Sequence, residues 1–287
     1  MSKRVFEKIK KDGLLSLPRS FIMKVKYFIY QPKVKLEKVN LKPIAFGNNY
    51  GGKRFFDFDE LVNSTVVSCG LGEDASFDVE FAARYGATMI IVDPTPRAID
   101  HYEEIMGRLE TGDITPSNSH GKRASDLYDL SEISLSQLVL EKFALWTKVT
   151  RLNFFAPKNP THVSYSITNF QNNYSLNTEH EHIEVTTTTL QMLIDKYSIG
   201  VPSLLKLDIE GAEIEVLEDM LRNRIYPIQI AVEFDGFNFP CRKAQLDFAR
   251  IDALLRQNGY LCYDFDGQAD FLYVAHERVQ RELATKL

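Results

Sequence analysis

No apolar run in the 287-residue chain approaches the roughly 18 residues that a membrane span needs, so no transmembrane anchor is expected. Cysteine is scarce. Cys69, Cys241 and Cys262 have neither the density of a disulfide scaffold nor the close spacing of a zinc site, and an odd number suits a reducing compartment. Met1-Ser2-Lys3-Arg4 leads into charged sequence, so no secretory signal is expected and the chain reads as cytoplasmic. Internal repeats and low-complexity tracts are absent. The single tryptophan, Trp146, reads as core, and so does Cys69. What remains, 44% hydrophobic and 25% charged, is enough for one large α/β domain plus an extension.

The formal net charge of −5 hides an asymmetry. Residues 1–42 hold twelve Lys/Arg against three Asp/Glu, and the rest of the chain is acidic. A basic arm on an acidic body either docks onto that body or meets a polyanion or an anionic membrane surface. Phe21 to Tyr30, after Pro18 and a capping Ser20, is apolar enough to lie in a bilayer interface, which makes peripheral membrane contact through residues 1–42 one reading. Asn48-Asn49-Tyr50-Gly51-Gly52-Lys53 marks a turn, dividing a basic extension, 1–47, from a main domain, 48–287.

The richest stretch is Val66-Val67-Ser68-Cys69-Gly70-Leu71-Gly72-Glu73-Asp74-Ala75-Ser76, with Asp93 twenty-one residues after Gly72. An apolar strand enters a glycine turn and then a helix, and a second strand ends in an acid. Glycines let the backbone approach a nucleotide, and the acid accepts bonds from ribose hydroxyls. The turn also fits a dinucleotide fingerprint. Two carboxylates at the helix entrance, Glu73 and Asp74, would repel a pyrophosphate, whereas a sulfonium with an ammonium would be tolerated. The turn therefore favours S-adenosyl-L-methionine over NAD.

Strands and helices alternate from there: strand 65–69, helix 75–85, strand 88–93, helix 97–106, strand 203–208, helix 213–223, strand 229–234 and helix 244–257. Between them, 107–135 reads as a loop or surface insertion, 143–155 as strand-like, 182–188 as a strand and 189–197 as a helix. Residues 260–265 and 270–275 read as an antiparallel hairpin around Asp266-Gly267. Asp208 ends a buried strand where open α/β sheets place ligands, and Glu233 and Asp235 end the next. Together they form an acidic cluster able to orient a hydroxyl or hold a hard cation. No histidine accompanies them, so no metal ligands are assigned.

These residues resemble the FkbM family of S-adenosylmethionine-dependent methyltransferases over about residues 48–275. The likeness rests on Cys69-Gly70-Leu71-Gly72-Glu73-Asp74, on Asp93-Pro94-Thr95-Pro96, and most specifically on Leu205-Lys206-Leu207-Asp208-Ile209-Glu210-Gly211-Ala212-Glu213. Phe155-Ala156-Pro157 and His162-Val163-Ser164-Tyr165-Ser166 add to it. The resemblance implies a class I methyltransferase fold, a Rossmann-like doubly wound sheet ending in an antiparallel hairpin. It implies donor contacts from Ser68, Gly70, Gly72, Glu73, Asp74, Ser76, Asp93, Thr95 and Asp208. Ser68 departs from the pattern, standing where such enzymes often carry an acid. The acceptor implied is a hydroxyl of a sugar, glycan or secondary metabolite. A hydroxyl needs a base, and His162 is preferred, with Asp208 and Glu233 as its catalytic partners. His180 and His182, flanking Glu181, are expected to face solvent.

Three rivals frame this reading. An NAD-dependent oxidoreductase would need a Tyr-x-x-x-Lys pair that is missing. A non-catalytic binding module would act through the basic arm. A nucleic-acid methyltransferase fits poorly, because the body is acidic and no Asn-Pro-Pro-Tyr-type motif occurs, so no nucleic-acid partner is expected.

Overall fold

The computed structural model describes residues 19–117, 124–157, 164–169, 177 and 179–285. Its centre is a seven-stranded sheet in the order β11-β12-β10-β9-β3-β4-β5. The strands are β3 (Thr65–Cys69), β4 (Thr88–Val92), β5 (Leu138–Glu141), β9 (Leu204–Leu207), β10 (Gln229–Glu233), β11 (Tyr260–Phe265) and β12 (Asp270–Ala275). Pairing is parallel from β5 through β10, and β12 runs antiparallel to both β10 and β11. Helices cover both faces, so the strands are apolar on both sides. Val67, Ile90, Leu205 and Ile230 pack on one face, where helices α5 (Glu213–Arg222) and α6 (Arg242–Gln257) lie. Val66, Met89, Leu204 and Ala231 pack on the other, with helices α2 (Ser76–Tyr85), α3 (Pro96–Thr111) and α7 (His276–Thr285).

Local chemistry sets the boundaries. Gly86, at φ +60°, ends α2 in the left-handed conformation that glycine adopts without a Cβ penalty. Pro96 opens α3, where a missing N–H costs nothing. Helix α4 (Leu190–Tyr197) starts at Thr189, whose side chain accepts from the Met192 N–H.

The structure departs from the sequence reading in several places. Helix α3 runs on to Thr111, five residues past the expected end, because Ile105 and Arg108 are buried there. Of the segment read as a loop or surface insertion, 107–135, the described residues are held by Arg108, whose guanidinium donates to the carbonyls of Asp113, Thr115, Ser125 and Tyr128. The strand-like stretch 143–155 is split into β6 (Ala144–Leu145) and β7 (Arg151–Phe155), and both pair with β8 (His182–Thr188) in a second small sheet. Two strands, β1 (Ile44–Phe46) and β2 (Lys53–Phe55), pair around the Asn48–Gly52 turn, across the expected domain boundary. The described part of the basic arm carries helix α1 (Arg19–Tyr30), which touches α6. Among the described residues no helix is long and apolar enough to cross a membrane.

Candidate active site

Strand order reverses between β3 and β9, and the turns following these neighbours meet at their carboxyl ends, where open α/β sheets bind ligands. Gly70 follows β3 with φ +87°, and a Cβ there would lie 1.8 Å from the Asp208 carbonyl oxygen. Only glycine permits that approach. Beside the junction lies a cavity of about 530 Å³, a size that accommodates a nucleoside-sized ligand.

Of the sequence-predicted residues, Gly70, Gly72, Asp74, Asp93, Thr95, Asp208 and Glu233 line this cavity. Ser68 is buried and is not among the lining residues. Ser76 accepts the Asn48 N–H at the rim, and Glu73 pairs with Arg97 at 3.3 Å on the half-exposed surface. His162 lies outside the described residues. Tyr165 lines the cavity, while Ser166 is buried and donates to the Glu210 carbonyl. His182 is half-buried with its Nδ1 2.8 Å from the His180 carbonyl, away from the cavity. Trp146 packs against the core and Cys69 is buried, its thiol pushed up by burial.

Asp93 clasps the glycine turn. Its Oδ2 accepts the N–H groups of Leu71 and Gly72 at 2.9 and 3.0 Å, and its Oδ1 accepts the N–H and hydroxyl of Thr95. A carboxylate offers about four acceptor positions, and all of them are occupied. Asp74 differs: one oxygen accepts the Ser76 N–H, while Oδ2 is buried without a partner among the described residues.

Sequence reasoning missed two lysines. Lys53, from β2, is 3% exposed, and its ammonium lies 3.1 Å from Asp208, 3.0 Å from Glu233 and 2.6 Å from Asp270. Burial lowers its proton affinity, but the three carboxylates outweigh burial and hold the group well above the usual lysine value. Burial likewise raises Asp208, yet Lys53 and Lys206 outweigh it and keep this acid below the ordinary range. Lys206, on β9, donates to the Gly70 carbonyl at 2.6 Å and so fastens the glycine turn to the neighbouring strand. The K-x-D spacing was the available signal for Lys206, since alternate residues of a strand share a face.

The remaining acids lack such compensation. Burial raises Glu210 to about 8 and Glu213 to about 7, and it raises Asp235 well above the carboxylate range. Glu210 sits at φ +54°, a strained conformation for a residue with a Cβ. Carboxylate oxygens of Asp208, Glu210 and Asp235 come within 4.8 Å of one another. The cavity lining is thus rich in acids, with Lys206 among them, and Leu71, Val92 and Leu145 add apolar surface.

A family model described as the methyltransferase FkbM domain matches residues 63–262. No curated protein matches the sequence. Among solved structures, the chain aligns with the hMettl16 catalytic domain in complex with the MAT2A 3'UTR hairpin 6. The identity is 11% and the TM-score 0.31, over 74% of this chain and 64% of that one, so the chain spans less than two thirds of that domain. The expectation that nucleic acid plays no part is withdrawn here; the hairpin belongs to that protein, and the acceptor of this chain is not established. An acidic body with its basic residues in one arm does not exclude nucleic acid, since local rather than net charge meets a phosphate backbone.

Proposed function

The chain belongs to the FkbM methyltransferase family, and from that premise we propose that it moves the methyl group of S-adenosyl-L-methionine onto a hydroxyl oxygen of a sugar, glycan or secondary metabolite. One observation carries the donor assignment. Asp74 lines the cavity, is 7% exposed, and has a buried oxygen with no partner among the described residues. An ammonium group satisfies such an atom, whereas a pyrophosphate is repelled by it. The acidic basin around Asp208 suits a cationic ligand for the same reason. The fit of the donor is therefore chemical as well as steric.

When bound, the donor supplies an electrophilic methyl group. The protein's part is to hold, orient and deprotonate. Gly70 and Gly72 give backbone access, with Asp93 fixing their turn. Thr95 shares Asp93 with that turn, and its hydroxyl is the bond that yields when a ribose diol takes up Asp93. Leu71, Val92 and Leu145 offer the apolar wall for a purine. Asp208 and Glu233, tethered by Lys53, orient the incoming hydroxyl. His162 is the base that takes the hydroxyl proton; its neighbours Ser164 and Tyr165 at the cavity wall support this role. Because methyl transfer is an in-line displacement, most of the acceleration comes from positioning.

The reading is tested by following S-adenosylhomocysteine formation with panels of hydroxylated acceptors. Turnover with at least one panel, lost in His162→Ala, supports it. Methylation of amines or of carbon alone overturns the oxygen assignment.

A further inference from the structure

We propose that Asp208, Glu210 and Asp235 form a binding site for one hard divalent cation, Mg²⁺ or Mn²⁺, in the wall of the cavity. The three residues come from two adjoining strand ends: Asp208 and Glu210 follow β9, and Asp235 follows β10. Their carboxylate oxygens lie within 4.8 Å of one another, close enough to share one ion at the 2.0–2.6 Å typical of oxygen ligation. All three line the cavity, so the remaining coordination positions open onto it. Carboxylate oxygens alone, with no sulfur or imidazole, select magnesium, manganese or calcium over softer metals.

A cluster of acids is not a site by proximity alone. Asp235 supplies the independent observation. It is 2% exposed; Asn238 donates to its Oδ1 at 3.1 Å, and no donor among the described residues reaches its Oδ2. Leaving a buried carboxylate oxygen without a partner is costly, and two things relieve it: a proton or a cation. Among the described residues no basic side chain pairs with Asp235, and within the cluster Lys53 compensates Asp208 alone. Lys53 is held among Asp208, Glu233 and Asp270, and Lys206 on the Gly70 carbonyl. Glu213, also buried, adds a further acid to the surroundings of Asp235 rather than a counter-charge.

The ion's function rests on the methyl-transfer reading: ligated beside the cavity, it would draw an acceptor hydroxyl onto itself and make that hydroxyl easier to deprotonate. The site itself does not rest on that reading, because ion binding is measured without donor or acceptor.

The test uses the full chain, freed of metal with a chelator and titrated with Mn²⁺ while free Mn²⁺ is followed by electron paramagnetic resonance. The expected result is one Mn²⁺ per chain, displaced by Mg²⁺, with a rise in Tm on binding. Asp235→Asn and Glu210→Gln should each weaken binding by about tenfold or more, and Asp129→Asn, an exposed acid outside the cavity, should leave it unchanged. The Tm rise of the unmodified protein keeps the test decisive should either variant misfold. No stoichiometric Mn²⁺ uptake, or uptake unaffected in both variants, overturns the proposal.

Discussion

The ammonium of Lys53 lies 3.1 Å from Oδ2 of Asp208, linking the β1–β2 hairpin to the acid that ends β9. Lys53 precedes the family-matched region, yet its ammonium pairs with three carboxylates at the cavity. The hairpin is thus part of the site.

Lys53→Met should be among the most damaging single changes outside the glycine turn. It leaves Asp208, Glu233 and Asp270 facing one another without their counter-charge, at a cost of about 3–5 kcal/mol. Urea unfolding should show that loss, and donor titration a matching drop in affinity. Lys53→Arg keeps the charge but not the compact geometry, so it should recover stability only in part.

Gly70→Ala and Gly259→Ala make an informative pair. Both glycines have positive φ, +87° and +84°, so each substitution carries backbone strain of about 1–3 kcal/mol. Around Gly259 nothing lies within 4 Å, whereas at Gly70 the new Cβ runs into the Asp208 carbonyl. Thermal unfolding should show the larger Tm loss for Gly70→Ala, and only that variant should lose donor binding.

Asp93→Asn replaces one acceptor oxygen with a donor, facing either the Leu71 and Gly72 N–H groups or those of Thr95. Two donors meeting head-on should loosen the turn. Titration calorimetry should find donor affinity reduced by about tenfold or more, about 1.4 kcal/mol. Asp93→Ala should abolish binding.

Glu213 gives a pH dependence with a definite sign. Burial raises its carboxyl to about 7, so between the unfolded value near 4.5 and about 7 the folded protein keeps a proton that the unfolded chain gives up. The stability that proton confers is fully present below about 4.5 and is lost as pH rises through about 7. The Tm of the metal-free protein should therefore fall between pH 5 and 8, and Glu213→Gln should flatten that slope. A Tm rising with pH over this interval contradicts the assignment.

Much of the site was legible because its signals are local. Gly70, Gly72 and Asp93 were readable from one strand-turn-helix segment, and Asp208 from the end of an apolar run. Lys53 was not readable, since it meets Asp208 only through tertiary structure and sits in a segment that looks like a linker. Arg108 was hidden for a related reason: its guanidinium organises carbonyls from residues 113 to 128 that look like loop in sequence. The short strands β6 and β7 exist through pairing with β8, a long-range partner that no local pattern announces.

The central claim is that this basin binds a cationic adenosyl donor. Isothermal titration of the purified chain with S-adenosyl-L-methionine, with S-adenosylhomocysteine and NAD in parallel, tests it most directly. The account predicts micromolar binding of both adenosyl ligands, lost in Asp93→Ala, and no heat from NAD. Tight binding of NAD, or silence from both adenosyl ligands, would contradict it.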